Sequence, residues 1–155
     1  MTGPITGGCQ CGAVRYELSE APKAEFCHCR MCQRATGGIF GALANLPKAS
    51  LTWTKGSPSF FESSTVAKRG FCSHCGTPLT FGYNDTPGID VTIGSLDDPE
   101  VAGPNRMHFA IESRVSWAPV CDGAPQQRLE EFTDSPVHKP GFQSFQAAPG
   151  EGTGP

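Results

Sequence analysis

The sequence is short of charge, and its charge balance is not basic. Charged residues make up 17% of the 155 positions, and the formal net charge is −3 with a pI near 5.8. Nothing in it builds the basic field that draws nucleic acid, and no lysine-rich segment suits an anionic membrane surface, so neither partner is expected. Long apolar runs are missing as well. No stretch approaches the roughly 18 apolar residues of a membrane helix, and Met1–Gly8 lacks a basic region followed by an apolar run. A soluble, cytoplasmic protein is therefore expected, and its length suits one domain. Uninterrupted helical periodicity is also scarce. Gly 19 and Pro 14 punctuate the chain, which favours many short strands and turns over long helices. A mostly β domain follows.

What the chain does have is sulfur. Its eight cysteines cluster as C-x-C and C-x-x-C, and a reducing compartment makes metal ligation a better reading than a disulfide framework. Cys9, Cys11, Cys72 and Cys75 are two close pairs far apart in sequence, the pattern by which strands from distant parts of a small β domain are clasped by one tetrahedral ion. These four are read as a structural zinc site, with zinc favoured over iron. Gly12 follows the first pair and suits a turn of positive φ; Cys72-Ser73-His74-Cys75-Gly76 reads as a knuckle-like turn between two strands.

Cys27, Cys29 and Cys32 place three more sulfurs within six residues. They lack an obvious fourth ligand. In one reading they hold a second Zn²⁺ with a position left for water or substrate; in the other, His28, His74, His108 or Cys121 closes a second structural site. An open thiolate site has a defined chemistry, because a thiol on zinc stays deprotonated near neutral pH. Arg30, Arg34, Lys68 and Arg69 lie near the metal turns. Singly each reads as a solvated surface cation, and together they suggest a rim that would grip substrate carboxylates. His108 reads as a strand histidine bonded to backbone, and Cys121 as a lone thiol.

The remaining pattern is short and punctuated. Residues 1–6 read as a flexible N-terminus, 7–127 as the zinc-binding domain, and 128–155 as a Pro/Gly/Gln-rich tail, disordered or loosely docked. A short helical turn is expected after Cys32, stopped by Gly37-Gly38. Leu51–Thr54 and Ser59–Glu62 read as a hairpin across Lys55–Pro58. Met107–Ser113 reads as an alternating strand, with Met107, Phe109 and Ile111 on one face.

Five ordered blocks, G-G-C-Q-C-G, C-H-C-R-M-C-Q-R-A-T-G, R-G-F-C-S-H-C-G-T-P-L, I-G-S-L-D-D-P and S-R-V-S-W-A-P-V-C-D-G-A-P, lie between about residues 7 and 126. In these the chain resembles the glutathione-dependent formaldehyde-activating enzyme family, also called the centromere protein V type. The resemblance implies an Mss4-like β-tent of short antiparallel sheets clasped by zinc, with little helix. It implies two Zn²⁺ per chain, structural at Cys9, Cys11, Cys72 and Cys75 and catalytic at Cys27, Cys29 and Cys32. It also implies a carbon–sulfur lyase that forms S-(hydroxymethyl)glutathione reversibly from glutathione and formaldehyde, with Arg30, Arg34 and Arg69 as candidate substrate contacts. The alternative is a zinc-stabilised binding module without catalysis. No sequence feature sets an oligomeric state.

Overall fold

A computed structural model describes residues 3–146. In chain order its strands are β1 (Ile5–Gly8), β2 (Arg15–Leu18), β3 (Lys23–Cys27), β4 (Gly41–Pro47), β5 (Leu51–Lys55) and β6 (Ser59–Ser64). There follow β7 (Ala67–Phe71), β8 (Pro78–Tyr83), β9 (Gly88–Thr92), β10 (His108–Phe109) and β11 (Gln126–Gln127), and the one α-helix among the described residues is α1 (Arg30–Thr36). The protein is mostly β, as its composition predicts. A three-stranded sheet runs β1-β2-β5, and an eight-stranded sheet runs β11-β10-β3-β4-β9-β8-β7-β6. Pairing is antiparallel except at β10, which lies parallel to both β3 and β11.

The core lies between the two sheets. From the small sheet come Val14, Tyr16 and Leu18; from the large one come Ala24, Ala44, Leu46, Leu79 and Val91. Tyr16, Ala44, Leu79 and Val91 are fully buried, and each Leu- or Val-sized side chain so buried is worth about 1.5–3 kcal/mol. Tyr16 also satisfies its hydroxyl on Ser95 Oγ at 2.8 Å. Its ring end fits because Gly7 has no Cβ, which would otherwise stand 2.3 Å from that hydroxyl.

Strand alternation gives the large sheet a second, different face. On β4, Ala44 and Leu46 enter the core while Leu43 and Asn45 point the other way. The antiparallel register sets Asn45 opposite Asp90, Asp90 opposite Phe81, and Phe81 opposite Arg69. A row of polar and aromatic side chains thus crosses four strands on the face away from the core.

Three local patterns resolve differently from their sequence reading. Leu51–Lys55 and Ser59–Ser64 are not a hairpin: β5 pairs with β2 in the small sheet and β6 with β7 in the large one. The turn between them crosses from sheet to sheet, with Gly56 at φ 60° against the Ala13 carbonyl and Pro58 buried. The alternating strand expected over Met107–Ser113 is confined to His108–Phe109, because Ala110 takes φ 54° and the chain turns into a 3₁₀ segment at Ile111–Ser113. Its partners β3 and β11 run parallel to it, whereas only antiparallel pairs were expected. The helical turn after Cys32 is present, and Gly37 at φ 70° ends it.

Ile5 and Thr6 fall within β1, opposite Leu18 and Glu17. Residues after Arg128 return to the large sheet: Phe132 packs on Phe109 with ring centroids 5.2 Å apart, Ser135 and Pro136 are buried, and Ser144 bridges to Ser64. The expected flexible N-terminus and tail also include residues 1–2 and 147–155, which lie outside the described residues. No described helix is long and apolar enough to cross a membrane.

Candidate functional site

Two sulfur clusters form, and they divide the cysteines as the spacing suggested. Cys9 and Cys11 sit in the turn between β1 and β2, and Cys72 and Cys75 in the turn between β7 and β8. Their four sulfurs all lie within 4.8 Å of one another, with Cys9 to Cys11 at 3.5 Å and Cys11 to Cys72 at 3.8 Å. Zn–S bonds of about 2.3 Å in a tetrahedron put neighbouring sulfurs about 3.8 Å apart, whereas a disulfide requires about 2 Å. The donor set therefore fits zinc. Gly12 (φ 73°) and Gly76 (φ 76°) fold the two turns around it, and the Val14 N–H donates to Cys9 Sγ at 3.2 Å. The Thr77 hydroxyl and then its backbone N–H pull the Cys75 thiol down to about 5, toward the thiolate a metal needs. This clasp joins the small sheet to the large one.

Cys27, Cys29 and Cys32 form the second cluster, with sulfurs also within 4.8 Å of one another. Cys27 ends β3. Cys29 caps α1, its sulfur accepting from the Cys32 N–H at 3.3 Å, and Cys32 lies in the first turn. Among the described residues no His, Cys, Asp or Glu joins them as a fourth ligand at that distance. Three thiolates without a fourth suit a zinc ion that keeps an open position. Bonds from Cys27 and Cys29, then the charge of Arg69, hold the Cys32 thiol well below its ordinary range despite burial.

The trio opens into a cavity of about 340 Å³. Its floor is the non-core face of the large sheet, carrying Glu25, Asn45, Asp90 and Arg69 among Leu43, Phe81 and Tyr83; Phe109, Leu129, Phe132 and Val137 close it from the C-terminal side. Arg69 is buried, with Nη2 3.4 Å from Cys32 Sγ and its guanidinium 4.6 Å over the Phe81 ring. Asp90 accepts from Asn45 Nδ2 at 3.0 Å. Burial pushes its carboxyl up to about 7, Asn45 opposing and the charges of Glu25 and Cys32 adding to the rise. Burial also raises Glu25, against the attraction of Arg106.

The predicted substrate contacts separate. Arg69 reaches the cavity wall. Arg30 is exposed and turns to Gln33 Oε1, and Arg34 lines a neighbouring depression with Phe61 and Thr80; neither lines the trio cavity. Lys68 stands over the Phe60 ring at 5.1 Å. Cys121 is exposed and outside both clusters.

His28 and His108 turn away from the sulfurs and toward each other. His28 Nε2 and His108 Nδ1 are 2.9 Å apart, and His108 Nε2 is 2.9 Å from Asp122 Oδ1, while Asn105 Nδ2 donates to Asp122 Oδ2. His108 is thus held by side chains rather than by the backbone partners expected. Asp122 can only accept, so His108 Nε2–H donates to it. His28 Nδ1 is buried without a partner. Burial, then the nearby His108, lowers the pKa of His28 and keeps it neutral. Gln33 Nε2 ties the His28 carbonyl at 2.7 Å to Ser113 at 3.0 Å. Sequence reading passed over Asn45, Asp90, Asp122 and the aromatic walls; strand alternation offered one signal, since it turns Asn45 away from the face of Ala44 and Leu46.

The model of the family described as glutathione-dependent formaldehyde-activating enzyme matches residues 4–112. An uncharacterized lyase of Schizosaccharomyces pombe is 34% identical over 80 residues, 51% of this chain and 58% of that protein, so the match spans little more than half its length. A Halomonas elongata protein with the provisional name glutathione-dependent formaldehyde-activating enzyme is 25% identical over 126 residues, covering 75% of this chain and 80% of that one. A crystal structure of a Rhodobacter sphaeroides protein superposes with a TM-score of 0.53 at 26% identity, over 64% of this chain and 96% of its own.

Proposed function

The chain belongs to the glutathione-dependent formaldehyde-activating enzyme family, and on that premise we propose that it is a zinc-dependent carbon–sulfur lyase acting on a thiol–aldehyde adduct. The observation that carries the reading is the placement of Cys27, Cys29 and Cys32 at the wall of a cavity, with no fourth ligand among the described residues. A purely structural site would have little use for that space. The family description names glutathione and formaldehyde as the reference pair.

Zinc at the trio would keep a bound thiol deprotonated near neutral pH and polarise an aldehyde oxygen. The chain's own residues supply the rest. Arg69 holds Cys32 as a thiolate and offsets part of the negative charge gathered there. Phe81, Phe109 and Phe132 exclude water and hold the reactants together, so that attack becomes effectively intramolecular. In the forward direction the sulfur attacks the carbonyl carbon, one C–S bond forms, and the proton lost by the thiol ends on the former carbonyl oxygen. The reverse step breaks that bond and returns both reactants. In this reading Cys9, Cys11, Cys72 and Cys75 hold the fold-forming zinc, residues 7–127 are the zinc-binding domain, and Arg69 alone of the three arginines faces the reactants.

The test is metal analysis followed by cobalt(II) substitution and titration with a panel of thiols, alongside exchange NMR of hemithioacetal formation. Two metal ions per chain, a new sulfur-to-cobalt charge-transfer band and faster exchange are expected. Two tightly held ions, no spectral change with any thiol and no acceleration would leave the binding-module alternative standing instead.

A further inference from the structure

The charges around the trio cavity favour a thiol that carries a cation. Three thiolates with one Zn²⁺ carry a net −1, which Arg69 offsets. Arg69 is the one cation lining the cavity, against three acids: Glu25, Asp90 and Asp134. Glu25 pairs with Arg106 at 2.6 Å. Asp90 has no ion pair among the described residues; it bonds the neutral amide of Asn45, and the charge of Arg69, which lies against Cys32, acts on it only from a distance. A carboxylate set into a protein interior without a direct counter-ion is costly. The same cavity is lined by Tyr83, Phe109 and Phe132, and by Phe81 beneath the Arg69 guanidinium; aromatic faces favour cations when water is excluded. Arg30 and Arg34, the other two arginines expected to grip substrate carboxylates, lie outside this space.

We propose that the thiol this cavity takes is a compact aminothiol, whose ammonium group supplies Asp90 with a direct counter-charge, and that purely anionic thiols are disfavoured. The inference rests on the zinc–thiol reading above and specifies its substrate. The near-neutral carboxyl of Asp90 agrees with it, since such a group ionises fully once a cation arrives.

The test uses cobalt(II)-loaded protein and four small thiols: cysteamine, thiocholine, 2-mercaptoethanol and 3-mercaptopropionate. Thiocholine carries a quaternary nitrogen that cannot ligate the metal, so it separates charge recognition from chelation. Both cationic thiols should half-saturate the charge-transfer band at concentrations about tenfold or more below 3-mercaptopropionate, with 2-mercaptoethanol between, as a charge pair in a partly dry site predicts. In Asp90→Asn, which keeps shape and the capacity to bond Asn45, the cation preference should shrink severalfold while 2-mercaptoethanol affinity holds. The wild-type comparison stands even if the variant misfolds. Equal binding of the anionic and cationic thiols overturns the aminothiol assignment and leaves the zinc–thiol reading intact. A preference that survives Asp90→Asn also overturns it, because Asp90 is then not the recognising group. No spectral change with any thiol defeats the underlying reading and the assignment with it.

Discussion

Replacing Asp90 with Asn should make the protein more stable at alkaline pH and leave it nearly unchanged in acid. In the folded protein burial lifts the Asp90 carboxyl from its ordinary 3.8 to about 7. The folded state therefore keeps a proton between those values that the unfolded chain has released. Stability contributed by that proton is complete below 3.8, drains away as pH rises through the window, and is gone above 7. A rise of about three units at about 1.4 kcal/mol each sets a ceiling of about 4 kcal/mol. The carboxylate borders an open cavity that solvent reaches, so about half of that ceiling is the working figure. Asn keeps the shape and cannot ionise. Urea denaturation of both proteins at pH 5 and pH 8, in equal free zinc, should show the variant's advantage widening by about 1–2 kcal/mol between the two, the rest of the effect having gone by pH 5. Thiolate–metal affinity also changes with pH, but it does so in both proteins and cancels in the difference. A variant that is equally stable or weaker at pH 8, or a gap that does not change with pH, would refute the assignment of a buried, uncompensated charge to Asp90.

The remaining predictions concern the sulfurs and their supports. Cys72→Ser should unfold the domain, since structural zinc binding supplies on the order of 10 kcal/mol of folding free energy, whereas Cys29→Ser should keep the fold and lose one metal ion; circular dichroism with metal analysis separates the two, and equal unfolding would erase the distinction between the sites. Arg69→Gln should weaken metal binding at the trio by about 10–100-fold while sparing the four-sulfur clasp, because partners behind the ligands have effects of that size; chelator competition reads both affinities. The Asp122 carboxyl is held well below its ordinary range by the bond from His108, then by Asn105, so its contribution is present above the ordinary carboxylate range and is lost as pH falls through the depressed value. Asp122→Asn should accordingly flatten the acid limb of a pH–stability profile, and an unchanged limb would remove the His28–His108–Asp122 chain from the account.

The sulfur clusters were legible in the sequence because each half of each site is local: a C-x-C or C-x-x-C turn brings its own two sulfurs together whatever the rest does. Pairing the halves needed only that Cys27, Cys29 and Cys32 already formed one group. The helix after Cys32 was legible for the same reason, with Gly37 as a local stop. The cavity was not, because Glu25, Asn45, Asp90 and Arg69 come from four strands and meet only through long-range register. Its wall at Leu129–Val137 comes from a stretch whose few apolar residues look incidental until Phe109 offers Phe132 a surface. The failed hairpin has a similar cause. Lys55–Pro58 carries ordinary turn chemistry, but the core, and not the turn, decides that β5 returns to β2. Ala110 hides its role altogether, since nothing about an alanine announces a left-handed backbone.

The four-sulfur clasp sits at the tip of the β7–β8 hairpin, and that hairpin also carries Arg69 and Phe81 into the cavity. The two sulfur clusters are thus joined through one hairpin. On the proposed reading, an ion at the clasp would hold the hairpin against the small sheet and with it the guanidinium, three residues before Cys72, that reaches Cys32. Loading would acquire an order: a chain with a single metal ion would hold it at the clasp, and the trio would become competent second. Scarcity of metal would then switch off the chemistry before it dissolved the fold, leaving a folded apo-trio form that a later ion could restore without refolding.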